Sequence, residues 1–123
     1  MSSFTTPLQT ELNDDGKTDT LLAAFIYRIG EKGSGKFIAV PKGFVTDWAS
    51  VPRILHTVLP PRGRYSKAAV LHDFLYKTHY QDNRKACDKL FYEAMGVLGV
   101  KWWKKKMLYR GVRVGGWLAW NKH

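Results

Sequence analysis

Ala68-Ala69-Val70-Leu71-His72-Asp73-Phe74-Leu75-Tyr76, followed after the polar break Gln81-Asp82-Asn83 by Arg84-Lys85-Ala86-Cys87-Asp88-Lys89-Leu90-Phe91, is the stretch on which the fold turns. Its apolar runs are too long and too continuous for short strands, and the break between them carries turn and capping residues. The spacing predicts two helices, about 66–79 and 84–97. Ser66 is the expected N-cap of the first and Asp82 or Asn83 of the second, with Gly96 and Gly99 ending it. Adjacent His and Asp inside such a run are unusual, because an imidazole and a carboxylate are costly to bury unless paired or bound.

Outward from this hairpin the chain divides in character. Toward the C-terminus, Lys101 to Trp120 reads as a third helix, weakened near its end by Gly111 and Gly115-Gly116. Toward the N-terminus, Leu21 to Ile29 and Lys36 to Val40 flank the turn Glu31-Lys32-Gly33-Ser34-Gly35, which reads as a β-hairpin, and Phe44 to Asp47 as a third strand. Ser50 can cap a short helix, Arg53 to Val58. Residues 1–19, with Thr5-Thr6-Pro7 and Asn13-Asp14-Asp15-Gly16, read as a flexible or extended arm. The expected fold is α+β: a small antiparallel sheet followed by a bundle of about three helices, with residues 20–123 forming a single domain.

A net charge of +10 on 14.1 kDa implies an anionic partner: phospholipid, cell-wall polymer, an acidic protein face or nucleic acid. One cysteine, Cys87, excludes an internal disulfide and any paired-cysteine metal site, and its place beside Asp88 suits a small core residue. No run approaches the ~20 apolar residues needed to span a bilayer. The polar first nineteen residues lack a signal-peptide pattern, so the expectation is synthesis in a cytoplasm, with release by lysis or packaging in a particle.

Treating the two central helices as an antiparallel pair, with its turn near residue 80, places His72 eight residues before the turn and Asp88 eight after. At ~1.5 Å per residue both lie roughly 12 Å from it and face each other. Tyr76 and Arg84 form the adjoining layer one turn nearer the break. Asp88 would fix the tautomer of His72 and leave the other ring nitrogen as a base for water, with Tyr76 holding Asp88. Asp73 points about 100° away, toward a flanking loop, 60–65 or 47–50, where it and carbonyl oxygens would suit Ca²⁺. The same His72–Asp88 pair also serves as a structural brace. Asp47 and Ser50 serve equally as helix caps, and Arg53, Arg84 and Arg113 as ion-pair partners for the aspartates.

His-Asp-x-x-Tyr on one helix with an Asp on its partner resembles the active-site core of the compact prokaryotic and viral phospholipases A2. The resemblance covers about 25 residues of 123. It implies His72 as the water-activating base, Asp73 as the Ca²⁺ ligand, and Asp88 and Tyr76 as supports. The chain departs from that family in lacking helix-joining disulfides and a Tyr-x-Gly-x-Gly calcium loop. A second resemblance is broader, over roughly residues 37–118. Gly43-Phe44-Val45-Thr46-Asp47-Trp48-Ala49-Ser50-Val51-Pro52-Arg53, Lys67 to Tyr76, and Met107-x-Tyr109-x-x-Val112-Arg113-x-Gly115-Gly116 are similar to an uncharacterised domain family of tailed bacteriophages, prophages and their hosts. It implies a phage-type origin and a pocket drawing on Asp47, Ser50, His72, Asp73, Asp88 and Arg113, with Arg84 nearby.

Trp102-Trp103-Lys104-Lys105-Lys106 and Arg110 mix aromatic and basic side chains, as an anionic-surface or nucleic-acid face would. Alternatively, Trp102 or Trp103 anchors the core beneath solvated lysines. The functional expectation is a small phage-type hydrolase acting on an ester at an anionic surface, with Ca²⁺ as its possible metal. The alternative is a non-enzymatic virion, tail or lysis-associated protein, in contact with other phage proteins, whose basic helix binds an anionic partner.

Overall fold

The structure is a computed structural model and describes residues 3–4, 8–15, 18–30, 36–48 and 65–121. The fold is α+β, and the chain forms two compact units, Met1–Asp47 and Trp48–His123. The loop readings at 31–35 and 60–64, Ser50, and the short helix expected at 53–58 lie outside the described residues.

The first unit holds six short strands: β1 (Ser3–Phe4), β2 (Thr10–Leu12), β3 (Asp19–Leu21), β4 (Phe25–Arg28), β5 (Phe37–Val40) and β6 (Val45–Thr46). They make two antiparallel sheets, ordered β1-β4-β5 and β2-β3-β6. The expected hairpin is β4–β5, in register from Phe25 opposite Val40 to Arg28 opposite Phe37. Period-two alternation turns Phe25, Tyr27, Ile38 and Val40 inward, and the Phe4 ring lies 4.7 Å from that of Tyr27.

The single strand expected over Leu21–Ile29 is instead two strands in different sheets. Leu21 exchanges main-chain hydrogen bonds with Phe44 and Gly43, both at 2.9 Å, and Leu22 bonds to Gln9. The chain then bends and joins the other ladder at Phe25. Gly43, at φ +89°, supplies the left-handed turn that brings β6 back to β3. The segment read as an arm contributes β1 and β2. Its Asn13–Asp15 signal is the β2–β3 turn, closed by Asp15 Oδ1 accepting from the Thr18 amide at 2.9 Å.

In the second unit, α1 (Ser66–Lys77) packs on α2 (Arg84–Val97), α2 on α3 (Trp102–Gly115), and the short α4 (Trp117–Asn121) returns to α1. α1 is buried nearly all round, from Ala68 to Tyr76 apart from Phe74, which makes it the core helix. α3 buries only Leu108 and Val112 and is peripheral. A 3₁₀ turn, Tyr80–Asp82, joins α1 to α2 with His79, Gln81 and Asp82 all at φ near +50°. Asn83 then caps α2, its side chain accepting from the Ala86 amide at 3.1 Å. Ser66 is the first residue of α1 rather than its cap, since Tyr65 holds that position.

The helix read as continuous over 101–120 breaks at Gly116, where there is no room for a side chain. A Cβ there would meet the Val112 carbonyl oxygen and lie 2.6 Å from the Tyr76 hydroxyl. The break lets α4 turn back, so that Trp120 packs edge-on to Tyr76 at 5.3 Å and stacks on His79 at 4.1 Å. His79 is thereby half-buried and bonded through Nε2 to the Trp120 carbonyl at 2.9 Å.

Candidate functional site

The equal distances of His72 and Asp88 from the turn bring the two together. Asp88, fully buried on α2, bonds through Oδ1 to His72 Nε2 at 2.6 Å and accepts from the Tyr76 hydroxyl at 2.5 Å. Its Oδ2 accepts from Arg113 Nη1 on α3 at 2.7 Å and lies 3.5 Å from Arg84 Nη1. Three hydrogen-bond partners and a further cation therefore surround one carboxylate. Burial pulls the Asp88 carboxyl upward, but the bonds from His72, Tyr76 and Arg113 outweigh it and hold it below the usual carboxylate range. Burial and the bond to Asp88 keep the Tyr76 phenol protonated far above its ordinary range, so it acts as a donor.

Arg84 has a second task. Its guanidinium donates to the carbonyls of Val112 at 2.9 Å and Arg113 at 3.1 Å, satisfying acceptors in the last turn of α3 and placing positive charge at that helix's negative end. The Arg84–Tyr76 layer expected beside His72–Asp88 is present, at 3.4 Å. Arg113, whose place sequence spacing left open, becomes the strongest cationic partner of Asp88.

His72 is fully buried between the rings of Tyr76 and Phe91, at 4.2 and 4.6 Å. Nε2 is committed to the ionised Asp88, and Nδ1 has no hydrogen-bond partner. Cys87, next to Asp88, is buried, and its thiol is pushed up to about 12 by burial, so it is an inert core residue.

Asp73 follows His72 on α1. It points away from the cluster around Asp88, is buried, and has the Lys77 ammonium 3.5 Å from Oδ2. Calcium takes six or more oxygens, and residues 49–50 and 60–64, expected to supply some of the others, lie outside the described residues. Among the described residues no three His, Cys, Asp or Glu side chains come together as metal ligands. Asp47 is the last residue of the first unit. Trp48 adopts φ +62° while buried, a strained conformation for a bulky residue that no sequence signal gave away.

The basic aromatic segment starts α3, and both of its tryptophans are exposed, Trp102 at 68% and Trp103 at 43%. The core-anchor alternative is therefore overturned: Leu108 and Val112, further along the helix, fill that role. Lys106 and Lys104 lie 5.3 and 5.5 Å over the Trp102 and Trp103 rings, keeping cations and aromatic surface together. Lys105 lies 5.1 Å over Tyr92, and Arg110 is exposed.

Residues 20–112 match a family model described as "protein of unknown function (DUF1353)". The chain belongs to that family. A relative from Sinorhizobium fredii (strain NBRC 101917 / NGR234), "uncharacterized protein y4jT", is 37% identical over 81 residues. That stretch is 63% of this chain and 23% of the relative, so the chain spans less than a quarter of the curated relative it matches. No solved structure matches. No described helix of this DUF1353 chain is long and apolar enough to cross a membrane.

Proposed function

We propose that this DUF1353 chain is a phage-type hydrolase domain in which His72 and Asp88 activate water against an ester presented at an anionic, phospholipid-like surface. The observation that carries the reading is the lone Nδ1 of His72: a buried polar atom without a partner is uncommon and asks for one, here a water or substrate. In the step envisaged, Nδ1 accepts a proton as water oxygen adds to the ester carbonyl carbon. The resulting imidazolium is stabilised by Asp88 and returns the proton to the leaving alkoxide as the carbon–oxygen bond breaks. Tyr76 and Arg113 keep Asp88 ionised and oriented. Asp73 takes no part in this step, and no metal is invoked. The exposed tryptophans and lysines of α3 hold the protein at the surface. The phage-type origin rests on the likeness of residues 43–53, 67–76 and 107–116 to tailed-phage domains. It implies synthesis in a host cytoplasm followed by virion association or release at lysis.

The test is fatty-acid release from phosphatidylglycerol vesicles, with and without added calcium. Wild type is expected to hydrolyse the ester and His72→Asn to lose about 10²–10⁴-fold in rate at unchanged vesicle binding. Absence of wild-type hydrolysis under both conditions sinks the reading.

A second reading is favoured by a different observation: Asp88 gathers donors from α1, α2 and α3, as a structural brace would. On that reading the chain is a non-enzymatic virion or lysis-associated protein, and its basic helix meets an acidic protein or wall polymer. His72→Asn would then lower the Tm with no ester hydrolysis to lose.

A further inference from the structure

We infer that the outer groove between α2 and α3 is a phosphate-binding pocket, in which Lys89, Lys106 and Arg110 neutralise a phosphomonoester and the rings of Tyr92 and Tyr109 hold its carbon skeleton. The cavity measures about 430 Å³, within the range of small-ligand sites, and these five residues line it. Their spacing explains why they converge. Lys89 and Tyr92 are three apart on α2; Lys106, Tyr109 and Arg110 are three and four apart on α3, so each set shares one helix face.

The electrostatics point to an anion of more than one charge. From Arg84 to Asn121 the chain carries nine Lys and Arg against two acids, Asp88 and Glu93, and Asp88 is already matched by Arg113 and Arg84. Among the described residues, Lys89 and Arg110 have no ion-pair or hydrogen-bond partner, and neither have the hydroxyls of Tyr92 and Tyr109. Three cations sharing one concavity repel one another until an anion enters it. A carboxylate brings one charge and two oxygens to these donors, whereas a phosphomonoester dianion brings two charges and three terminal oxygens for the arginine fork, the ammonium groups and the phenol donors. The tyrosine rings, 5.5 Å apart and nearly perpendicular, form a preset wall for the carbon attached to the phosphate.

None of the five residues belongs to the His72–Asp88 cluster, so the proposal stands or falls by binding alone, independently of hydrolysis. Two probes separate the sources of such a group: glycerol 3-phosphate in solution, by calorimetry, and vesicles containing phosphatidic acid, by co-sedimentation. Two charge-matched double variants, Lys89→Gln/Arg110→Gln inside the pocket and Lys85→Gln/Lys101→Gln outside it, are compared with wild type. The expected result is saturable binding that the first pair weakens about tenfold or more and the second less than about twofold, with Tm unchanged in both. Binding of glycerol 3-phosphate assigns a soluble phosphomonoester; binding of vesicles alone assigns the same group on a lipid. Equal weakening by the two pairs, or binding of neither probe, overturns the pocket.

Discussion

The two faces of α2 handle charge in opposite ways. On the inner face Asp88 is fully buried and every donor around it is paired, in a layer that α1 and α3 close. On the outer face, one residue further along, Lys89 begins a groove whose cations form no ion pair among the described residues. A helix that turns by 100° per residue can therefore carry a structural ion cluster and an unsatisfied basic face side by side. The difference teaches where sensitivity should lie. Changes inside should register as stability, and changes outside as affinity.

The largest effect should come from Asp88→Ala. It strands two arginines, a phenol and an imidazole around a vacated site, so a loss of about 3–5 kcal/mol is expected in urea unfolding. A loss under about 1 kcal/mol would mean the inner face is not the brace described, since ordinary surface changes are of that size. The same carboxylate sets an acid limit. Its folded-state pKa lies below its ordinary value, so its contribution is complete above about pH 4 and is lost as pH falls through the folded pKa. Asp88→Asn should remove that acid-side slope from a plot of Tm against pH.

Next in size is Gly116→Ala. The added methyl meets the Val112 carbonyl and the Tyr76 hydroxyl, so overpacking of about 1–3 kcal/mol is expected by the same measurement. Asn83→Ala, which removes the α2 cap, should cost about 1 kcal/mol. Smallest is Trp102→Ala on the outer side: stability within about 0.5 kcal/mol of wild type, but weaker retention on anionic vesicles. A Tm drop comparable to that of Gly116→Ala would show Trp102 to be packed rather than displayed.

The α1–α2 pair was legible because helical rise converts residue spacing into height. His72 and Asp88 are equidistant from the break, and their facing contact follows from that alone. Arg113 was legible as an ion-pair partner for one of the aspartates, but not as that of Asp88 in particular, because its place depends on how α3 crosses α2, and spacing within one helix says nothing about crossing. Gly116 was visible only as a weak point in a helix. The crowding by Tyr76 that makes it glycine comes from a residue forty positions earlier. The strand split at Leu21 was hidden for a similar reason: Leu21, Phe25 and Tyr27 read as one apolar strand, and only the main-chain bonds to Gly43 and Phe44 separate them. The exposure of Trp102 and Trp103 was one of two readings, because an aromatic pair is equally at home in a core, until Leu108 and Val112 are seen to fill it.

The arrangement of donors on Asp88 also bears on how the chain is made. His72 and Tyr76 leave the ribosome before Asp88, but Arg113 follows it by twenty-five residues. Until α3 has been synthesised, the α1–α2 hairpin would enclose a carboxylate lacking its closest cation. The helical unit should therefore reach its native packing only after most of the chain has emerged, which leaves α1, with its long apolar run, the segment most in need of protection during translation.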